Sequence, residues 1–168
     1  MKGQGTRQRV LERIEKTPGI HKSALQRDLG LGWGTVSYHL EQLRRAGRIK
    51  SLVRGRQVRL FPAGIPEAHM RWLSALREDV PQGILGRLAQ EPGTGLAALA
   101  DDLGVSRRLI RRHLTNLAQD GLVAPGAFGV EPGFRVEDPN MLEGLRRHLP
   151  SDAGPKGMPH GEHDASVA

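Results

Sequence analysis

The 168-residue chain contains no cysteine. That excludes disulfides, thiolate metal sites and a cysteine nucleophile. Aromatic residues are almost as scarce: one Tyr, three Phe and two Trp make up 4% of the chain. They offer no evident platform on which the bases of single-stranded RNA could stack. No apolar run approaches the roughly 18 residues needed to span a membrane, and the N-terminal MKGQGTRQRV lacks the apolar stretch of a signal peptide. The expectation is a cytoplasmic protein with no membrane partner. Catalytic patterns are missing too: the chain has no P-loop, GxSxG or HExxH, and no histidine paired with a carboxylate on one rigid helix. Neither an enzyme nor a cofactor is expected.

What the chain does have is positive charge. Twenty-five Lys and Arg face eighteen acids, for a formal net charge of +7. Twenty of those twenty-five cations are arginine, whose planar fork matches phosphate oxygens and the guanine edge. An anionic polymer is the implied partner. With 38% hydrophobic residues, the chain can bury one modest core or two small ones.

It also repeats itself. A shift of 74 residues, without a gap, brings LERIEKTPG (11–19) over LGRLAQEPG (85–93), ALQRDLG (24–30) over ALADDLG (98–104), and SYHLEQLRRAG (37–47) over RRHLTNLAQDG (111–121). A period of that length is too long for a solenoid, so the copies read as two domains. Each copy predicts three short helices. In the first, Val10, Leu11 and Ile14 form a stripe that stops at Thr17-Pro18-Gly19; Ala24, Leu25 and Leu29 precede Gly30; Val36, Leu40 and Leu43 precede Gly47. In the second, Ile110, Leu114 and Leu117 follow a candidate N-cap, Ser106, and end before Gly121. Two helices joined by a tight glycine-bearing turn make a helix-turn-helix.

After the third helix the period shortens to about two. Ile49–Val53 and Gln57–Phe61 are β-prone runs around Arg54-Gly55-Arg56, which predicts a hairpin with a glycine turn and a basic tip. Pro66 is placed to open a further helix, EAHMRWLSALRED, with Met70, Leu73 and Leu76 on one face; Asp138-Pro139 opens its counterpart, carrying Leu142, Leu145 and Leu149. The fold class expected is mainly α with small β-hairpin wings, in two tandem winged helix-turn-helix domains. The divisions are residues 1–65 for the first, 66–80 for a connecting helix, 81–149 for the second, and 150–168 for a disordered tail rich in Gly, Pro and His.

The charge is uneven. Residues 1–65 hold fourteen cations against four acids, whereas residues 81–149 hold eight of each. Within the second domain, however, RRLIRRHL concentrates Arg107, Arg108, Arg111 and Arg112 at the start of the third helix. On a wheel of about 100° per residue, Arg108 and Arg112 point away from Ile110, Leu114 and Leu117, and Arg107 and Arg111 flank them. Like charges four apart cost a helix ~0.2–0.5 kcal/mol per pair. A merely solvated face usually mixes signs; this one predicts an external anion that offsets the repulsion.

The stretch LGWGTVSYHLEQLRRAGRIKSLVRGRQVRLFP (31–62) resembles the winged helix-turn-helix core of ArsR/MarR-like transcription regulators, a likeness strongest from Leu29 to Pro62 and extending from Arg7 to Leu149. The tandem arrangement is similar to archaeal regulators built from two such domains. The resemblance implies sequence-directed binding of double-stranded DNA, with the third helix in the major groove and the wing on the backbone or minor groove. Carried over by position, the reading residues would be Trp33, Gly34, Ser37 and Tyr38 in the first copy and Arg107, Arg108, Arg111 and Arg112 in the second, with Arg54 and Arg56 as wing contacts. It also implies nucleoid association and a homodimer through the helix after the first wing.

This sequence departs from that pattern at two places. Gly32-Trp33-Gly34 stands where a small polar cap and polar residues are usual, and Trp33 is expected to pack against the neighbouring turn rather than reach a sugar or thymine methyl. The second wing, VAPGAFGVEPGFRVED, has one arginine and three acids and should bind phosphate poorly. His39 and His113, at the same place in both copies, are expected to pack or hydrogen-bond. The tail cluster His160, Glu162, His163 and Asp164 has no rigid frame for a metal. A second function class is a tandem winged-helix module that binds proteins, as in kleisin-binding chromosome segregation; it would not require the Arg54-Gly55-Arg56 tip.

Overall fold

The computed structural model describes residues 2–54, 56–128, 131–147 and 149. The glycine of the first hairpin tip, the tail from 150 to 168 and its histidine cluster lie outside the described residues. The first half runs α1 (Lys2–Lys16), β1 (Ile20–His21), α2 (Lys22–Leu29), α3 (Trp33–Arg45), β2 (Ile49–Arg54) and β3 (Gln57–Pro62); α4 (Glu67–Leu76) follows. The second runs α5 (Asp79–Gln90), α6 (Leu96–Leu103), α7 (Arg107–Gln119), β4 (Val123–Phe128), β5 (Glu131–Val136) and α8 (Pro139–Arg146). Adding 74 to α2, α3, β2 and β3 gives α6, α7, β4 and β5 at both ends of every element.

The same offset relates the backbone and polar features that hold each half together. Among the described residues the positive-φ positions are six glycines, in three pairs 74 apart: Gly19 with Gly93, Gly30 with Gly104, and Gly47 with Gly121. Gly30 and Gly104, at φ 61° and 64°, end α2 and α6 in the left-handed conformation that a side chain resists. The ion pair Arg13–Asp28 at 2.6 Å recurs as Arg87–Asp102 at 2.6 Å, tying the first helix of each half to the second. Sequence periodicity finds the apolar stripes but is blind to this pairing, which needs the helices already crossed.

Each half has its own core. Val10, Ile14, Leu25, Val36, Leu40 and Leu60 are buried together in the first; Ile84, Leu85, Leu99, Ile110, Leu114, Leu117 and Leu142 are buried in the second. The first sheet is antiparallel in the order β1-β3-β2, with Ile20 opposite Leu60 and Ile49 opposite Pro62. The two-residue β1 is too short to show in a pattern of period two. Its counterpart is present in outline, since the Gly93 N–H donates to the Phe134 carbonyl at 2.8 Å and the Phe134 N–H to Thr94 at 3.2 Å.

The expected helix EAHMRWLSALRED breaks after Leu76. Glu78 is extended, at φ −112° and ψ 132°, and α5 restarts at Asp79. Pro81 explains the break: it cannot donate an N–H to Arg77, so it fits only the first turn of a new helix. Pro66 likewise stands one place outside α4, as its N-cap. α4 then packs in two clusters, a small one at the junction and the second core. Met70 and Leu73 pack with Phe61, while Trp72, Ala75 and Leu76 join the second core. The helix thereby joins the two halves. Most of its apolar residues are consumed inside one chain, and Leu73 also borders a groove toward α8. Arg59, only 5% exposed, reinforces the junction by donating to the Gly19 carbonyl and to Glu78, both at 2.9 Å.

Candidate nucleic-acid interface

Helix α7 is built so that its cations cannot turn inward. The Ser106 hydroxyl accepts the Leu109 N–H at 3.1 Å and fixes the helix start. Ile110, Leu114 and Leu117 are at most 3% exposed in the second core, which forces Arg107, Arg108, Arg111 and Arg112 to the surface. Among the described residues, none of these four guanidiniums has an ion-pair or hydrogen-bond partner. Elsewhere in the protein surface arginines do pair: Arg44 and Arg45 share Glu41, and Arg87 holds Asp102 and Glu91. α7 also has no acid in its first turn, so Arg107 and Arg108 oppose the positive end of the helix dipole. Repulsion along the helix and opposition to the dipole act together on one exposed face.

The matching face of α3 is different in kind. Trp33 is 51% exposed and Tyr38 62% exposed, and Gly34 is also at the surface. The expectation that Trp33 packs into the turn is corrected: without a side chain at Gly32 or Gly34 to cover it, its ring takes the Lys22 ammonium instead, 4.3 Å from the ring centre. The same ammonium donates to the Ser37 hydroxyl at 2.9 Å. Lys22 therefore sits between two of the expected reading residues, yet nothing in the sequence pointed to it. It opens α2, fifteen residues before Ser37, and its position in the second copy is Leu96. His39 is 6% exposed, its Nδ1 has no partner among the described residues, and its ring meets Tyr38 edge-on at 5.3 Å. It is a packing histidine. His113 is half-buried, and burial pushes its imidazole below the ordinary value, with Glu78 opposing and Arg112 assisting.

The first wing turns toward the second half. Arg56 is exposed, but Arg54 is ion-paired with Asp120, the C-cap residue of α7. Arg54 and Arg56 are thus not equivalent, as their sequence symmetry implied. Asp120 at the negative end of α7 would be unfavourable alone, and the Arg54 guanidinium neutralises it. The second wing, β4 paired with β5 from Val123↔Val136 onward, holds its one arginine, Arg135, 3.7 Å from Glu137.

Residues 4–73 match a family described as an N-terminal HTH domain, and residues 77–124 match the family described as winged helix-turn-helix DNA-binding. The chain carries two tandem winged helix-turn-helix domains. It is 28% identical over 118 residues to a protein of Methanocaldococcus jannaschii named as an uncharacterized HTH-type transcriptional regulator. The alignment covers 70% of this chain and 30% of that relative's length. Among solved structures, the mRNA-binding domain of Escherichia coli elongation factor SelB, in complex with SECIS RNA, is 19% identical at a TM-score of 0.35, covering 81% of this chain and 98% of that one. A Corynebacterium diphtheriae protein is 20% identical at 0.31, covering 76% and 25%. At these scores neither structural likeness bears on the ligand.

Proposed function

We propose that the protein binds double-stranded DNA in a sequence-directed way and regulates transcription, in the manner of ArsR/MarR-like regulators. The observation that carries this reading is the unpartnered arginine face of α7, on the second helix of a helix-turn-helix, where the N-terminal residues meet base edges. Arg107, Arg108, Arg111 and Arg112 have no ion-pair partner among the described residues. Guanine edges and phosphates are the groups that suit them, a bidentate pair to guanine contributing about 1–3 kcal/mol of discrimination. α3 presents a different surface of Trp33, Gly34, Ser37 and Tyr38 with Lys22 between them, suited to thymine methyl, sugar and phosphate contacts. Arg56 supplies a backbone contact from the wing, and the two domains together engage adjacent segments of one duplex.

The reading requires no catalytic chemistry and places the protein in the cytoplasm, at the nucleoid. One chain supplies both reading helices, and a monomer can therefore engage adjacent half-sites. Selection from a random duplex library followed by base-protection mapping tests this. Two adjacent protected major-groove segments, one rich in guanine, are expected. No enrichment at low salt would refute it and favour a protein-binding module whose arginine face meets an acidic partner. A mass in solution of two chains would refute the monomer.

A further inference from the structure

Between α4 and α8 lies a cavity of about 480 Å³, outside the proposed DNA surface. Ile65 and Leu73 on one side and Met141, Leu145 and Leu149 on the other give it largely apolar walls, His69 and Asn140 add two neutral polar side chains, and Arg77 stands at its edge beside Pro18. Arg77 is half-buried, and its Nε donates to the Pro18 carbonyl at 3.2 Å. Among the described residues it has no carboxylate of its own. Its neighbours Arg13 and Arg59 are already matched, to Asp28 at 2.6 Å and to Glu78 at 2.9 Å. Three guanidiniums thus share two carboxylates, and the surplus charge falls on the arginine that faces the cavity. Burial, then Arg59 and Arg13, press the Arg77 pKa downward, as an uncompensated cation requires.

We propose that this groove binds a small monocarboxylic acid with an apolar body, its carboxylate on the Arg77 guanidinium and its hydrocarbon against Leu73, Met141 and Leu145. The volume lies in the range of about 300–1,000 Å³ usual for small-molecule sites, and apolar walls with few polar groups are their usual lining. A guanidinium receives a carboxylate in a two-bonded fork. A wholly apolar ligand would leave the half-buried Arg77 without an ion-pair partner, whereas a dianion would place a second charge against largely apolar walls. One charge and an apolar body satisfy both constraints. The walls come from both halves of the chain, so the ligand would bridge them. At Gly144, on the rim, an added Cβ would meet no atom within 4 Å, and the groove is open there.

Calorimetric titration of the full chain, without DNA, tests the proposal with octanoate, benzoate and the neutral octan-1-ol. Octanoate is expected to bind at least about tenfold tighter than the alcohol, the margin of one charge-assisted contact. Arg77→Met, which keeps the apolar stem, should erase that margin, and Arg77→Lys should retain part of it. Gly144→Leu should close the groove to acid and alcohol alike without lowering the thermal midpoint, since leucine suits α8 better than glycine. The proposal is overturned if neither acid saturates at millimolar concentration, if wild type takes acid and alcohol equally, or if the margin survives in Arg77→Met. Because DNA is absent, such a failure would leave the reading of α3 and α7 untouched.

Discussion

Changing Arg107, Arg108, Arg111 and Arg112 together to glutamine should stabilise the fold. The two pairs four residues apart, Arg107 with Arg111 and Arg108 with Arg112, cost together about 0.4–1 kcal/mol. Arg107 and Arg108 in the first turn of α7 each oppose the helix dipole by a further ~0.3–1 kcal/mol at low ionic strength. Glutamine matches arginine closely in helix propensity, and none of the four guanidiniums gives up a partner. After discounting for solvent at exposed positions, the expected gain is about 1–2 kcal/mol, a rise of roughly 2–8 °C in the midpoint for a chain of this size. The assay is thermal unfolding followed by circular dichroism at about 50 mM and about 500 mM salt, where screening should remove most of the difference. A lower midpoint in the variant, or a gain that ignores salt, would refute the reasoning. It would mean that the arginines support the fold rather than await an external anion.

Other outcomes follow from the same structure. Arg56→Ala should flatten the slope of log affinity against log salt by about one unit on any duplex, whereas Arg54→Ala should change it less and lower the unfolding midpoint, because Arg54 is committed to Asp120; equal slopes would contradict the division of roles. Gly30→Ala and Gly104→Ala should each cost about 1–2 kcal/mol in chemical denaturation, since an added Cβ meets nothing at either site and the left-handed backbone alone resists it. His21 and His113 both have imidazoles pushed down, chiefly by burial, so the unfolded chain takes up their protons first. Their contribution to stability is complete above the unfolded value of about 6.5 and is lost as pH falls toward the lowered folded values. A stability profile that weakens below that point, less steeply in His21→Gln/His113→Gln, is expected; identical profiles would exclude both residues as the cause.

Much of the fold was legible because its signals are local. Glycines at 30, 47, 104 and 121, stripes such as Ile110–Leu114–Leu117, and a cap at Ser106 each act within a few residues, and the offset of 74 doubled the glycines and the stripes, though not the cap, whose counterpart is Gly32. The arginine face was legible for the same reason, since a core stripe fixes which way its neighbours point. What escaped depends on contacts between distant segments. Lys22 reaches Trp33 and Ser37 only once α2 crosses α3, and Arg54 meets Asp120 only once the halves are docked. The break between α4 and α5 was recoverable from Pro81, whose missing N–H forbids one continuous helix. The groove beside Arg77 was not, because its walls come from Ile65, Leu73 and the far end of the described chain.

The most direct test of DNA reading is equilibrium binding to random duplex DNA across a salt series, comparing the wild type with the four-arginine glutamine variant. A steep salt dependence in the wild type, with reduced affinity and lost sequence preference in a variant that is at least as stable, is the predicted result. Equal binding by the two proteins, or no binding by the wild type even at low salt, would contradict it.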